Sequence, residues 1–165
     1  ASLLRDEAVD ALKSALIPLA TVVTPNIPEA EVLTGLEIKS ESDIERAAEH
    51  IMALGAQSVV IKGGHWKEAP FAEDLFVGSE GTRFSVRSPW VDTKATHGTG
   101  CTYSAALAAF LADGESLPDA VISAKCFIHA AIENGLGIGG GHGPTNHWAY
   151  NRKGGNLMEG VAVIG

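Results

Sequence analysis

The chain has 165 residues, its formal net charge at pH 7 is −8, and apolar residues make up 45% of it. This length corresponds to one domain, or part of one, that can bury roughly 70% of the surface of the unfolded chain. The acidic balance argues against nucleic acid or an anionic membrane surface as a partner. The sequence has no long apolar run, no signal-peptide pattern and no disulfide-scaffold spacing of Cys101 and Cys126, so it predicts a cytoplasmic protein with reduced cysteines.

Apolar residues with helical spacing, bounded by Ser, Pro and Gly, predict helices at residues 3–16, 29–33, 42–54, 100–112 and 118–134. Apolar β-branched runs predict two buried strands and a hairpin, at residues 20–24, 58–62, and 74–77 with 82–86. Helices that alternate with strands indicate an α/β fold with parallel pairing. Two buried strands and one hairpin are too few for these helices, so we expect part of a larger sheet.

The helix predicted from residue 100 is entered through a glycine-rich turn, residues 96–102 (THGTGCT). Gly98 and Gly100 tolerate backbone angles that other residues avoid, and they leave no side chain in the way. The unpaired N–H groups at the start of a helix, together with its dipole, bind anions and above all phosphate. Cys101 lies in the same turn, where a thiolate is favoured and accessible, so the stretch predicts a phosphoryl-transfer site with a potential base. The same residues also fit a plain strand-to-helix connection with a core cysteine.

Polar residues follow both buried strands. Lys62 ends the second strand just before Gly63, and Asn26 and Glu29 follow the first. If the two strands run the same way, the three side chains lie at one edge of the sheet, where α/β proteins bind ligands. Glu29 would suit Mg²⁺, which takes few protein carboxylates, but on spacing alone we prefer a first-turn acid stabilised by the helix dipole. Lys62 fits a solvated strand end equally well.

Four histidines fall in glycine-rich loops: His65, His97, His142 and His147. Their spacing matches no standard zinc site and Cys126 lies in a helix remote in sequence, so zinc is disfavoured. Asp92 and Thr93 precede the glycine-rich turn and are placed to orient it.

Four motifs occur in order along the chain: TPNIPEAE at 24–31, VIKGGH at 60–65, DT at 92–93 with THGTGCT at 96–102, and GIGGGHGP at 137–144 with NH at 146–147. Together they resemble the hydroxymethylpyrimidine/phosphomethylpyrimidine kinases of thiamine biosynthesis, in the ribokinase-like superfamily. The resemblance implies a three-layer α/β/α ribokinase-like fold with a mostly parallel sheet, ATP and Mg²⁺ as cofactors, and usually a homodimer. It implies ATP-dependent phosphorylation of the hydroxymethyl group of 4-amino-5-hydroxymethyl-2-methylpyrimidine, and then of the resulting monophosphate.

The resemblance assigns the glycine-rich turn to catalysis. Gly98, Thr99, Gly100 and Cys101 are similar to the family's anion hole, and the first three also contact the nucleotide. Cys101 takes the position of the catalytic base, where most sugar kinases of the superfamily carry Asp.

The resemblance assigns the strand ends to the nucleotide. Asn26 and Glu29 are similar to an Asn-x-x-Glu motif that organises Mg²⁺ and phosphate, which makes Glu29 the expected metal ligand. Lys62 is similar to the lysine that contacts the ATP phosphates, and Thr93 joins it and Asn26 as an expected cofactor-binding residue.

The family's N-terminal half, with its glycine-rich substrate-binding region, has no counterpart in this sequence. We therefore expect residues 1–148 to be the C-terminal, ATP-binding part of a kinase domain, and residues 149–165 to be a tail. Two alternatives remain. One is a pyridoxal or pyridoxine kinase of the same branch, which shares the Gly-Thr-Gly-Cys turn, and the other is an inactive fragment or dimerisation module.

Overall fold

The computed structural model describes residues 6–64, 70–79, 81–94, 96–138, 141–152, 158 and 160–165. The chain divides into two compact units. The first comprises residues 1–67, 73–85 and 165, and the second comprises residues 68–72 and 86–164. The start of the helix expected at 3–16, and His65, lie outside the described residues.

Three helical segments belong to the first unit. Helix α1, Asp6–Ala11, continues as a π turn, Leu12–Leu16, and a 3₁₀ turn, Ile17–Leu19, and is followed by α2, Ile27–Thr34, and α3, Glu41–Ala53. Helix α2 ends at Gly35, whose φ of 72° lies in the left-handed region. The predicted helices are confirmed with shifted ends. Pro18 lies inside the 3₁₀ turn instead of ending the helix, since a proline at the start of a helical turn gives up no hydrogen bond.

The described strands are β1, Ser58–Lys62, β2, Phe71–Gly78, β3, Arg83–Pro89, and β4, Ala162–Ile164, in the order β1-β2-β3-β4. Strand β1 pairs with β2 in antiparallel fashion, with Lys62 opposite Asp74. The α/β class and the hairpin are confirmed, but the expectation of a mostly parallel sheet is wrong for this pair. The connection at residues 63–70 is shorter than the dozen or so residues that a parallel crossover needs.

The strand expected at 20–24 is present as two isolated parallel bridges, which join Val23 to Val59 and Asn26 to Lys62. The N–H of Lys62 donates to the carbonyl of Pro25 at 2.8 Å. Pro25 can accept a hydrogen bond but cannot donate one, which interrupts a regular ladder. Residues 23–26 nevertheless run parallel to β1, as the sequence predicts, so Asn26 lies beside the end of β1.

The core of the first unit lies between its helices and β1. Its fully buried side chains include Ile17, Ala30, Ala47, Ala48, Ile51, Val59 and Ile61. Lys62 follows this buried run and is only half-buried, so the strand carries its last side chain out of the core.

The second unit contains α4, Thr99–Ala112, α5, Leu117–Glu133, and the short α6, Ala149–Arg152. Helices α4 and α5 pack against each other. The ring centroid of Phe110 on α4 lies 5.9 Å from that of Tyr150 on α6. Helix α6 and β4 fall within the expected tail, and the division at residue 148 stays a prediction. Within the described ranges, no helix has the length and hydrophobicity needed to cross a bilayer.

Candidate functional site

The first unit places three of the expected site residues close together in the fold. Asn26 is the N-cap of α2, and the parallel bridge pairs it with Lys62 at the end of β1. Glu29 is the third residue of α2. The sequence expectation that Asn26, Glu29 and Lys62 share one edge therefore holds for the backbone positions, because the two segments run in parallel.

Asn26 and Glu29 form a reciprocal capping box. The Oδ1 of Asn26 accepts from the N–H of Glu29 at 2.8 Å, and the Oε2 of Glu29 accepts from the N–H of Asn26 at 2.8 Å. Glu29 is thus the first-turn acid that the spacing alone favours. The capping box, which satisfies two N–H groups at the helix start, was not predicted. It leaves the exposed Glu29 carboxylate with its Oε1 unpartnered within the described part of the chain.

The donor set at Glu29 fits Mg²⁺. This ion binds through one or two carboxylates and keeps its remaining positions for water and substrate phosphate. Glu29 offers one such oxygen at an exposed helix start. Among the described residues, no three His, Cys, Asp or Glu side chains lie close enough together to hold a metal ion by themselves.

Lys62 makes no ion pair with any residue in the described ranges. Its backbone is nevertheless fixed on both sides, by Asn26 in the parallel bridge and by Asp74 across the antiparallel ladder. A half-buried lysine on a fixed backbone, with no carboxylate partner in the described ranges, can neutralise a bound anion.

The second unit builds the glycine-rich turn at the start of α4. Gly98 is the N-cap with φ +81°, and a Cβ built on it would meet no atom within 4 Å. The expectation of an unusual backbone therefore holds for Gly98 but is wrong for Gly100, which is the second residue of the regular helix. Gly100 adopts ordinary helical angles because the turn is completed before it.

The first turn of α4 carries free hydrogen-bond donors. The N–H groups of Gly98, Gly100 and Cys101 donate to no acceptor within the described part of the chain. The N–H and Oγ1 of Thr99 both donate to the carbonyl of Thr96, at 3.3 and 2.7 Å. Three unpaired N–H groups at a helix N-terminus, beside an open glycine, form a cradle suited to a phosphate group.

Two further predicted residues border this cradle in sequence. Cys101 is exposed and its thiol is not in a disulfide, so it is available for chemistry. Thr93 is half-buried in the segment that leads from β3 to the turn. Cys126, by contrast, is buried on α5, where its thiol donates to the sulfur of Met158 at 3.5 Å.

A second loop, residues 141–148, supports the turn. The N–H of His97 donates to the carbonyl of Gly143 at 3.2 Å. The Oγ1 of Thr102 lies 3.1 Å from the Nε2 of His147 and 3.3 Å from the Oγ1 of Thr145. These contacts were not predicted, because they join residues more than forty positions apart. The only sequence signal was the recurrence of glycine and histidine in both loops.

The family model and the curated relatives agree on one family. A family model described as phosphomethylpyrimidine kinase matches residues 1–146. The chain is 52% identical to a hydroxymethylpyrimidine/phosphomethylpyrimidine kinase from Haemophilus influenzae, over 92% of this chain and 57% of the relative. It is 51% identical to the kinase of the same name from Bacillus subtilis, over 93% of this chain and 56% of the relative. The chain thus spans about half the length of the curated relatives it matches.

The fold is also similar to that of solved kinases. The structure of pyridoxal kinase from Staphylococcus aureus in complex with AMP-PCP superposes with a TM-score of 0.86 at 40% identity, covering 97% of this chain and 57% of that one. The ribokinase-like fold that the sequence motifs implied is thereby confirmed.

Proposed function

Because the chain belongs to the phosphomethylpyrimidine kinase family, we propose that the full product of its gene transfers a phosphoryl group from ATP to a hydroxymethylpyrimidine. The acceptor is the hydroxymethyl group of 4-amino-5-hydroxymethyl-2-methylpyrimidine, and then the phosphate of the resulting monophosphate. The observation that carries this proposal is the cradle of N–H groups at Gly98, Gly100 and Cys101, which have no acceptor among the described residues.

The cradle serves phosphoryl transfer by electrostatics. Negative charge spreads over the oxygens of the transferring group, and fixed donors that already point at that charge stabilise it without reorganisation. The dipole of α4, whose N-terminus is this turn, acts in the same direction. Gly98, Thr99 and Gly100 are the proposed contacts of this group and of the nucleotide.

Cys101 is the proposed general base. The substrate hydroxyl oxygen forms a bond to the γ-phosphorus while the bond from that phosphorus to the β-bridging oxygen breaks and ADP leaves. The proton of the hydroxyl passes to the exposed Cys101 sulfur. Such a weak base suffices because phosphoryl transfer asks mainly for positioning and charge neutralisation.

The first unit supplies two further proposed nucleotide contacts. Lys62, whose ammonium has no ion pair within the described ranges, neutralises ATP phosphate charge, and Asn26 is the second of these contacts. Thr93, which belongs to the second unit, is also a proposed contact. Glu29 and phosphate oxygens would hold Mg²⁺, which supplies charge neutralisation on the phosphates when bound.

A pyridoxal kinase is the second candidate. The similarity to the Staphylococcus aureus pyridoxal kinase, with its TM-score of 0.86, favours it. We further propose a cytoplasmic location for the full gene product, in keeping with ATP as a substrate and with two cysteines that form no disulfide. The homodimer that the family resemblance implies is also a proposal for the full gene product.

The test is a substrate panel on the full gene product. ADP release is measured with the hydroxymethylpyrimidine, its monophosphate and pyridoxal, each with Mg²⁺ and with a chelator, beside a Cys101→Ala variant. We expect the highest kcat/KM with the pyrimidine and dependence on Mg²⁺. A higher kcat/KM for pyridoxal supports the second candidate, and no ADP release with any acceptor contradicts both.

A further inference from the structure

The peptide that follows Lys62 is clamped by the neighbouring strand. The N–H of Gly63 donates to the carbonyl of Glu73 at 2.9 Å and to the Oδ1 of Asp74 at 3.2 Å. A Cβ built on Gly63 would lie 2.2 Å from the Glu73 oxygen, closer than real Cβ atoms come. The two backbones therefore touch here, and only glycine fits.

Asp74 is unusual because it is a carboxylate in the core. It is only 4% exposed, in a strand whose other buried residue is Phe76. Burial of a carboxylate costs free energy unless hydrogen bonds compensate, so this position needs a reason that packing alone does not give. Its bond to the Gly63 N–H is one compensation, at the point where β1 ends.

The register places this carboxylate beside Lys62. Asp74 is the direct partner of Lys62 in the antiparallel pair of β1 and β2. Directly opposed residues project from the same face, with Cβ atoms about 4.5–5.5 Å apart. Asp74 thus binds the peptide that follows Lys62 and lies directly across the ladder from Lys62 itself.

We propose that Asp74 is a positioning residue for Lys62. It fixes the Lys62–Gly63 peptide and thereby the direction in which the lysine leaves the sheet toward its ligand. The inference rests on the proposed function, in which Lys62 contacts the ATP phosphates. A displacement of about 1 Å in such a group costs up to about 100-fold in rate, which gives the buried Asp74 a purpose that packing alone does not supply.

The experiment compares Asp74→Ala and Asp74→Asn with Ser58→Ala and Lys62→Ala in the full gene product. Ser58 is the matched control, because it is a buried polar residue like Asp74. It lies on β1 at the end opposite Lys62, and its Oγ donates to the carbonyl of Thr21 at 2.6 Å. The readouts are kcat and KM for ATP below the melting temperature, the Tm, and amide hydrogen exchange at Gly63.

We expect Asp74→Ala to raise the KM for ATP about tenfold and to speed exchange at the Gly63 amide. Asp74→Asn keeps an acceptor oxygen, so its KM for ATP and its exchange rate at Gly63 should lie close to those of the wild type. Ser58→Ala should lower the Tm and leave both the KM for ATP and the Gly63 exchange rate unchanged. If Asp74→Ala yields no folded protein, Asp74→Ser takes its place, because its hydroxyl is too short to reach the amide.

Two results overturn the inference. One is an unchanged KM for ATP in Asp74→Ala together with a raised KM in Lys62→Ala. The other is an equal rise in KM in Asp74→Ala and Ser58→Ala. If Lys62→Ala itself leaves the KM unchanged, the proposed role of Lys62 fails instead, and Gly63 exchange then still reports whether Asp74 holds the peptide.

Discussion

Asn26 and Glu29 form a capping box at the start of α2, in which each side chain accepts a 2.8 Å hydrogen bond from the backbone N–H of the other residue. The same glutamate is the proposed magnesium ligand. Its removal therefore has two effects, one on stability and one on metal use, which different substitutions can separate.

Glu29→Gln and Glu29→Ala distinguish the two roles. Glutamine keeps an acceptor for the Asn26 N–H but loses the charge, so we expect a small change in stability and a raised Mg²⁺ requirement. Alanine loses both the acceptor and the charge, and the lost hydrogen bond costs about 0.5–1.5 kcal/mol of stability in addition. Chemical denaturation and Mg²⁺ titration of the kinase rate measure the two effects.

The control for Glu29 is Asp43, which closes the equivalent capping box with Ser40 at the start of α3. Asp43→Ala should lower stability to a similar degree and leave the Mg²⁺ requirement unchanged. A Mg²⁺ requirement that is the same in Glu29→Gln and wild type would contradict the metal role.

The Asp43 capping box also predicts an acid dependence of stability. The Ser40 hydroxyl, which donates to Asp43 Oδ2 at 2.7 Å, and then the Lys39 N–H lower the pKa of Asp43 from its ordinary 3.8. A depressed pKa means that the folded state binds the proton less readily than the unfolded state. The contribution is present above pH 3.8 and is lost as the pH falls through the depressed value.

We expect the Tm of Asp43→Asn to decrease less steeply than that of the wild type as the pH falls below 3.8. Ser40→Ala removes the hydroxyl that donates to Asp43 Oδ2, so it should make the decrease less steep in the same way. Thermal melts over a pH series measure this. Equal slopes in Asp43→Asn and wild type would exclude the Ser40–Asp43 bond as the cause.

Gly98 is predicted to be essential to the cradle through its backbone alone. Its φ is +81° and no atom lies within 4 Å of an added Cβ, so Gly98→Ala meets strain and not a clash. We expect a loss of about 1–2 kcal/mol of stability and a larger loss of ATP affinity, as the N–H groups turn away.

Gly114, just past the other end of α4, provides the matched comparison. Its φ is +97° and its surroundings are equally open, so Gly114→Ala carries the same strain without touching the cradle. Denaturation and ATP titration should show similar stability losses and an affinity loss in Gly98→Ala alone. Parallel affinity losses in the two variants would mean that the turn has only a structural role.

Cys101→Ala should reduce kcat by about 10²–10⁴, the usual contribution of a general base. Cys101→Asp should retain more activity, since aspartate accepts the same proton. The Tm should change little because the side chain is exposed. Steady-state kinetics of the full gene product decide the matter, and an unchanged kcat in Cys101→Ala would leave the cysteine without a catalytic role.

The sequence predicted where the helices and strands lie better than it predicted which strands pair and in which direction. Local signals sufficed for α2 and α3, because Pro28 and Gly35 at the ends of α2, and Ser40 before α3, act within four residues. Periodicity does not specify strand direction, so the antiparallel pairing of β1 with β2 was missed. The buried Asp74 was missed for a related reason, since only the register of the sheet places it opposite Lys62.

The contact of Thr102 with His147 predicts a role for the loop at 141–148. Thr102 directly follows Cys101, and the ring of His147 also lies near that of Phe127, with ring centroids 6.3 Å apart. Loss of the imidazole should loosen the first turn of α4. We therefore expect His147→Ala to lower kcat about tenfold with a smaller effect on KM, because the cradle is displaced from the reacting group.

His142 is the control, since it is an exposed histidine of the same loop with no hydrogen bond to the turn within the described ranges. His142→Ala should have wild-type kinetics. Thr102→Val removes the hydroxyl but keeps the shape of the side chain, so it should resemble His147→Ala. If the two residues act through their shared bond, the double variant will be no slower than the slower single variant. Strictly additive losses in steady-state kcat would show that His147 acts on the reaction by a route that does not pass through Thr102.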